Sequence, residues 1–234
     1  MKKTIIRKLN WKYFRLKFIK EFSERLAAPI CHIYYQLRYK YPPDPDQILW
    51  IRIDDITGWY RGNRFDEIAF DGQIKGGDWS KKIIPKHQRL ANSDKYRSII
   101  ERFVEGKTWQ ETTIFRERYI KKEVLPGNAM NLNELANYYS KRYDAIFESI
   151  KKEEGLLPPY KNNPNIAPMY ICIGSKGEIF WTVDGNHRLY MAMVLGIEKI
   201  PVKVLKRHKK WQAFRERTLQ SEIKPFEHPD LVQG

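Results

Sequence analysis

Cysteine is almost missing from this chain: only Cys31 and Cys172 occur in 234 residues. Two cysteines so far apart cannot form a C-x-x-C zinc site and give no disulfide framework. A reducing, cytoplasmic compartment is the reading that follows. Acidic residues are also scarce, with 28 Asp and Glu against 43 Lys and Arg and a net charge of +15. No uninterrupted apolar run approaches the ~20 residues of a membrane-spanning helix. The first residues lack the apolar core of a signal peptide. Neither an integral membrane protein nor an exported one is expected. Repeats and low-complexity tracts are absent too, whereas 42% hydrophobic and 14% aromatic residues are enough to build a core.

The excess positive charge implies an anionic partner: nucleotide phosphate, nucleic acid or an acidic membrane surface. It is unevenly spread. The first 20 residues hold eight Lys or Arg and no acid, which leaves +7 for the other 214. Residues 1–41 read as a basic helical leader with a break at Pro29. Leu9, Tyr13 and Leu16 share one side of it, and Phe14, Phe18 and Phe22 another. Such a leader serves either as a peripheral anchor on anionic lipid at the inner membrane face or as a helix docked on the domain or a twin subunit.

Pro42-Pro43-Asp44-Pro45-Asp46 then forms a stiff linker. Ile48–Ile53 reads as a buried strand, and the glycine-rich stretch 54–85 as loops. Three helices are predicted next. One runs over Ser93–Val104, one follows the Thr108…Glu111 capping box to about Val124, and one starts at Asn131 and runs to about Glu154. Met169–Gly174 and Glu178–Val183 form a hairpin, a helix follows from Asn186 to Gly196, and Lys199–Leu205 makes a further strand. His208–Leu219 is predicted helical, and residues 221–234 form an irregular tail. The sum is an α/β domain over 47–220 with a small mixed sheet and a helical insertion at about 86–155.

The cluster Asp184-Gly185-Asn186-His187-Arg188 stands where a strand gives way to a helix. The first amides of a helix lack intrahelical acceptors and carry about half a positive charge. Gly185 lets an anion approach the backbone, Asn186 can cap the helix, and His187 and Arg188 add side-chain donors. Cations at a helix start oppose the macrodipole unless an anion lies between, so the pattern points to bound phosphate. The competing reading is a capped core helix whose His187 and Arg188 pair with nearby acids.

The run from Glu178 through Val204, with Asp184-Gly185-Asn186-His187-Arg188 and Ile200-Pro201-Val202 inside it, resembles the shared core of the ParB/sulfiredoxin superfamily. The resemblance spans roughly residues 168–206. It implies that Gly185, Asn186, His187 and Arg188 contact the phosphates of a nucleotide: ATP as in sulfiredoxin, ADP as in the free-serine kinases, or CTP as in ParB. Asn186 stands where sulfiredoxin carries its catalytic cysteine, so sulfinic-acid reduction is not expected. ParB partition proteins have an arginine pair in this turn and a helix-turn-helix after it, and neither pattern occurs in this sequence. The Asp-Gly-x-His-Arg form is most similar to the serine-kinase branch, which implies a role for Asp184 in catalysis or in holding Mg²⁺.

Phosphoryl transfer needs a metal-bridged phosphate, a base near the acceptor hydroxyl and cations for developing charge. Asp78, in Gly76-Gly77-Asp78-Trp79, is the preferred second carboxylate, with Trp79 as a stacking wall and Glu67 and Asp71 as alternatives. The other reading of this motif is a surface turn with a buried tryptophan. Arg207, His208 and Arg215 form a second basic cluster, either a site for an acidic acceptor or a solvated helix start. Gly-Gly-Asp-Trp, the Trp109…Thr112 pair and Arg207-His208…Trp211 together are similar to ParB-like proteins, several of which resemble products of surface-glycan gene clusters. That resemblance implies a sugar or glycan-type acceptor. The expectation is a nucleotide-dependent kinase, with a ParB-like nucleic-acid-binding or nuclease module as the alternative.

Overall fold

The computed structural model describes residues 26–60, 70–81, 83–120, 131–156, 167–182, 184–221 and 226–231. Most of the basic leader, the position of Glu67 and the last residues of the tail lie outside the described residues.

A mixed, open seven-stranded sheet organises the chain, which is an α/β protein. The strands are β1 (Ile48–Arg52), β2 (Ile56–Tyr60), β3 (Gln73–Lys75), β4 (Ile83–Pro85), β5 (Tyr170–Ile173), β6 (Ile179–Trp181) and β7 (Lys199–His208). Their order is β1-β7-β5-β6-β2-β4. The short β3 pairs with the C-terminal end of β7, on the edge that β1 occupies further back. The hairpin β5–β6 is antiparallel, as the Ser175-Lys176-Gly177 turn implied.

Alternation along the strands sorts side chains onto two faces. Trp59, Ile171, Ile173, Ile179, Trp181, Val202 and Val204 belong to the main core, whereas Tyr60, Tyr170, Cys172 and Phe180 form a second cluster with Trp79. A register shift between Ile171 and Cys172 places a bulge in β7, so that Lys206 lies opposite Cys172 and Arg207 opposite Ile173.

Stretch 54–85 contains three strands instead of loops. The reason is that β2 carries Gly58 in its middle, which reads as a breaker. In the fold this glycine is a packing requirement: a Cβ at 58 would fall 2.5 Å from Ile83 Cγ2 and 2.6 Å from the Ile84 carbonyl of the neighbouring strand.

The helices are α1 (Ala28–Arg38), α2 (Lys86–Ala91), α3 (Asp94–Phe103), α4 (Leu132–Tyr139), α5 (Ala145–Lys152), α6 (Asn186–Val194) and α7 (Lys209–Gln220). Ser93 Oγ accepts from the Tyr96 amide and Asn131 Oδ1 from the Glu134 amide, so both predicted caps form. The helix predicted from Thr108 is broken into a 3₁₀ turn at Trp109–Glu111 and a π-helical stretch at Phe115–Ile120. Glu111 still accepts from the Thr108 amide and hydroxyl. Between α4 and α5 the helix continues through a π-turn, Ser140–Asp144. Trp109, Phe115, Tyr119, Tyr139 and Tyr143 pack there as an aromatic cluster, and α6 lies against α3 and α5.

Candidate functional site

The α6 helix starts just beyond the end of β6. Thr182 ties its amide and its hydroxyl to the Tyr170 carbonyl, and the chain then turns through Asp184 and Gly185 into the helix. Gly185 is the N-cap, with φ +75°. A Cβ there would meet Met169 Cγ at 2.7 Å, so backbone conformation and space both demand glycine. The Cα of Gly185 is thus covered by Met169 and is not open to a ligand on that side.

Asn186 does not cap the helix. It is the first helical residue, it is buried, and its Oδ1 accepts the Trp59 indole N–H at 3.1 Å. This bond braces α6 against β2, so the expected phosphate contact from the Asn186 side chain gives way to a structural one.

His187 and Arg188 point elsewhere. The His187 ring stacks on Tyr143, with centroids 4.2 Å apart and planes at 28°. The Arg188 guanidinium folds back towards Gly185, its Nη2 lying 3.4 Å from the position of a Cβ there. Burial pulls the Arg188 pKa below its ordinary value; Asp184 opposes this, and the nearby Arg142 adds to it. Among the described residues, neither Arg188 nor Arg142 has an acid within ion-pair distance. The charge of Arg142 thus acts on Arg188 at the start of α6, with Asp184 as the acid that opposes it; the Arg142 guanidinium itself lies over the Tyr138 ring, 5.9 Å from its centroid. Such an arrangement is unfavourable alone and is relieved by an anion.

Arg142 and Tyr143 escaped sequence reading. Both lie in the π-turn, which adds a residue to one helical turn and carries Tyr143 to His187. The Tyr139/Tyr143 pair, four apart, was the signal, but on a regular helix it reads simply as core.

The second motif lies apart from this turn. Asp78 is exposed and paired with Lys81 at 3.1 Å. Trp79 is buried in the cluster on the sheet face away from α6. Its indole donates to the Lys75 carbonyl, and its ring meets Tyr60 edge-on at 5.4 Å. It is not an open stacking wall, and Asp78 does not join Asp184. Asp71 accepts from the Tyr170 hydroxyl at 3.1 Å.

Arg207 and Arg215 face inward rather than towards an acceptor. Arg207 is fully buried and donates Nε and Nη2 to the Asp230 carboxylate, which also accepts from Trp211 Nε1 at 2.8 Å. Arg215 donates to the Asp230 and Tyr41 carbonyls. Burial acts most strongly, to raise the Asp230 pKa, but the charge and hydrogen bonds of Arg207, the charge of Arg215 and the Trp211 hydrogen bond together outweigh it and hold the carboxyl below its ordinary value. His208 Nδ1 accepts the Lys210 amide, capping α7, and its Nε2 donates to the Gly77 carbonyl. The Arg-His-x-x-Trp motif is thus a buried clamp on residues 228–231.

A groove of about 730 Å³ lies elsewhere, along β1 and the C-terminal segment, between Trp50, Lys199 and Phe226. It does not reach α6.

Mg²⁺ is normally held by one or two carboxylates plus substrate phosphates. The described residues offer no cluster of three or more His, Cys, Asp or Glu suited to a metal. Asp184 is a single carboxylate at this turn and is not part of a metal cage among the described residues. Compared with protein-family models, curated proteins and solved structures, the chain matches none.

Proposed function

We propose that this protein is a nucleotide-dependent phosphotransferase that places the terminal phosphates of ATP or ADP at the start of α6, between Arg142 and Arg188. The observation that supports this reading is the buried Arg188 guanidinium folded back on the Gly185 turn, beside a His187 ring stacked on Tyr143 and with no acid at ion-pair distance among the described residues. Guanidinium forks and helix amides complement phosphate oxygens in both charge and geometry. His187, stacked on Tyr143, has its ring orientation fixed for a contact to the same phosphates. Asp184 would hold a Mg²⁺ that enters with the nucleotide, and the ion would supply charge neutralisation. In transfer, the acceptor hydroxyl oxygen forms a bond to the terminal phosphorus as the bridging P–O bond breaks. The hydroxyl proton passes to a general base or to solvent water. The acceptor class is a sugar or glycan-type hydroxyl, on the strength of the motif resemblance.

Thermal shift and calorimetry with ATP, ADP and CTP, with and without Mg²⁺, test the binding step. Each of Arg142→Gln and Arg188→Gln should weaken nucleotide affinity about tenfold or more, the loss of one charge-assisted contact. Asp184→Asn should abolish transfer to a sugar panel while leaving metal-free binding intact. Absence of binding at millimolar nucleotide, or wild-type affinity in both arginine variants, would overturn the proposal. A steep salt dependence of DNA binding would favour the nucleic-acid alternative instead.

A further inference from the structure

The α1 helix has two apolar sides, and only one of them is used. Ala28 and Tyr35 are buried with Phe70, and Cys31, Tyr39 and Ile74 pack around them. The attachment is polar as well: His32 Nε2 bonds the Asp71 carbonyl at 2.9 Å, and the Tyr35 hydroxyl accepts the Ile74 amide at 3.0 Å. On the opposite side stand Ile30, Ile33, Tyr34 and Leu37, exposed by 67%, 63%, 57% and 85%, with Leu26, 55% exposed, in the π-helical residues just ahead of α1. At about 100° per residue the four within α1 fall within an arc of roughly 100°, centred away from Tyr35. Scattered exposed apolar residues are ordinary, but four in one stripe mark a contact surface.

Charge decides what covers it. Residues 1–43 contain eleven Lys or Arg and only two acids, Glu21 and Glu24. A second copy seated on this stripe would bring two strongly positive segments together, which is repulsive. An anionic surface would be attracted to them. Among the described residues no helix is long and apolar enough to cross a membrane, so contact would be from the side, with the helix lying in the interface.

We infer that the outer stripe of α1 is a lipid-inserting face, which seats Leu26, Ile30, Ile33, Tyr34 and Leu37 at the headgroup boundary of an anionic bilayer. The apolar side chains supply insertion, and the net positive charge of residues 1–43 supplies attraction to lipid phosphates. The inference is independent of the nucleotide reading, since α1 and α6 share no residue.

The test is co-sedimentation of the full chain with phosphatidylcholine vesicles containing or lacking phosphatidylglycerol, at low and at high salt. The expected result is binding to the anionic vesicles that weakens with salt. The double variant Ile33→Ser/Leu37→Ser should lose about tenfold or more in partitioning. Both positions are exposed, so folding is unaffected, and an unchanged melting temperature verifies that. Equal binding by the double variant, or binding that ignores lipid charge, would overturn the inference. So would sedimentation velocity showing a dimer that the same variant dissociates, which assigns the stripe to a second copy. A monomer that stays in the supernatant also overturns it, because the stripe is then covered by the chain itself.

Discussion

Replacing Asp230 with alanine should be the most damaging single change available near the chain's end. The Asp230 carboxylate has no exposed surface and accepts from Arg207 Nε and Nη2 and from Trp211 Nε1. Its loss leaves a fully buried guanidinium without a counter-charge and a buried indole N–H without an acceptor. Breaking a buried ion pair from one side costs about 3–5 kcal/mol, and the indole adds to this only in part because the groups share one carboxylate. We take about 4 kcal/mol, which for a domain of this size lowers Tm by about 8–16 °C. Thermal unfolding followed by circular dichroism measures it. The double variant Asp230→Ala/Arg207→Met should recover much of the loss, since removing both charges also removes the desolvation penalty. A single variant that melts within about 2 °C of the wild type, under 1 kcal/mol, would refute the buried-clamp reading. So would a double variant that is worse than the single.

The same clamp sets an acid sensitivity with two separate origins. Burial lowers the His228 pKa from its ordinary value, so the fold favours the neutral ring; its contribution is complete above about pH 6.5 and is lost as pH falls through the lower folded value. The Asp230 contribution persists to lower pH, because its depressed folded pKa delays the loss until below about pH 4. His228→Gln should therefore flatten the Tm profile between neutrality and about pH 5 without altering its steepest acid limb. Gly185→Ala should destabilise by more than the about 1–2 kcal/mol of a left-handed backbone alone, because of Met169. Gly106→Ala, also at positive φ but with open space around it, supplies the backbone-only comparison in the same melting assay. Asn186→Ala should cost about 1–3 kcal/mol by stranding the Trp59 indole, and combining it with Trp59→Phe should restore part of that in denaturant titrations.

Elements with a strong local pattern were legible in the sequence: the β5–β6 hairpin, the helix closed by Gly196, the Ser93 and Asn131 caps, and the α/β class itself. What was not legible came from contacts distant in sequence. Gly58 reads as a loop residue because the close approach of Ile83 and Ile84 is invisible to a local window. Arg207 and Arg215 read as anion ligands because their counter-charge, Asp230, arrives from a segment 15 or more residues further on. Trp79 reads as a site wall because the pocket that receives it is assembled from Tyr60, Tyr170 and Phe180. At Asp184-Gly185-Asn186-His187-Arg188, residue types marked where a helix starts, and α6 starts there, but the division of labour was hidden. Asn186 braces, Gly185 packs, and only His187 and Arg188 are turned to other contacts.

That division bears on where the specificity of this chain resides. The sheet core alone supplies Asp184 and Arg188, while Arg142 and Tyr143 come from the helical segment 131–152. Arg188 with Asp184 alone would be locally near neutral; Arg142 makes the local charge positive, and Tyr143 fixes the plane of His187. Regularising the π-turn by deleting one residue between 140 and 142 would rotate Tyr143 by about 100° relative to α4. Both arginines would remain in the chain, but Arg142 would be turned together with Tyr143. Such a deletion should abolish nucleotide-induced stabilisation while leaving Asp230 and the clamp untouched. Under the proposed function, the helical segment is therefore the part of the fold that would turn an ordinary helix start into a site for a polyanion.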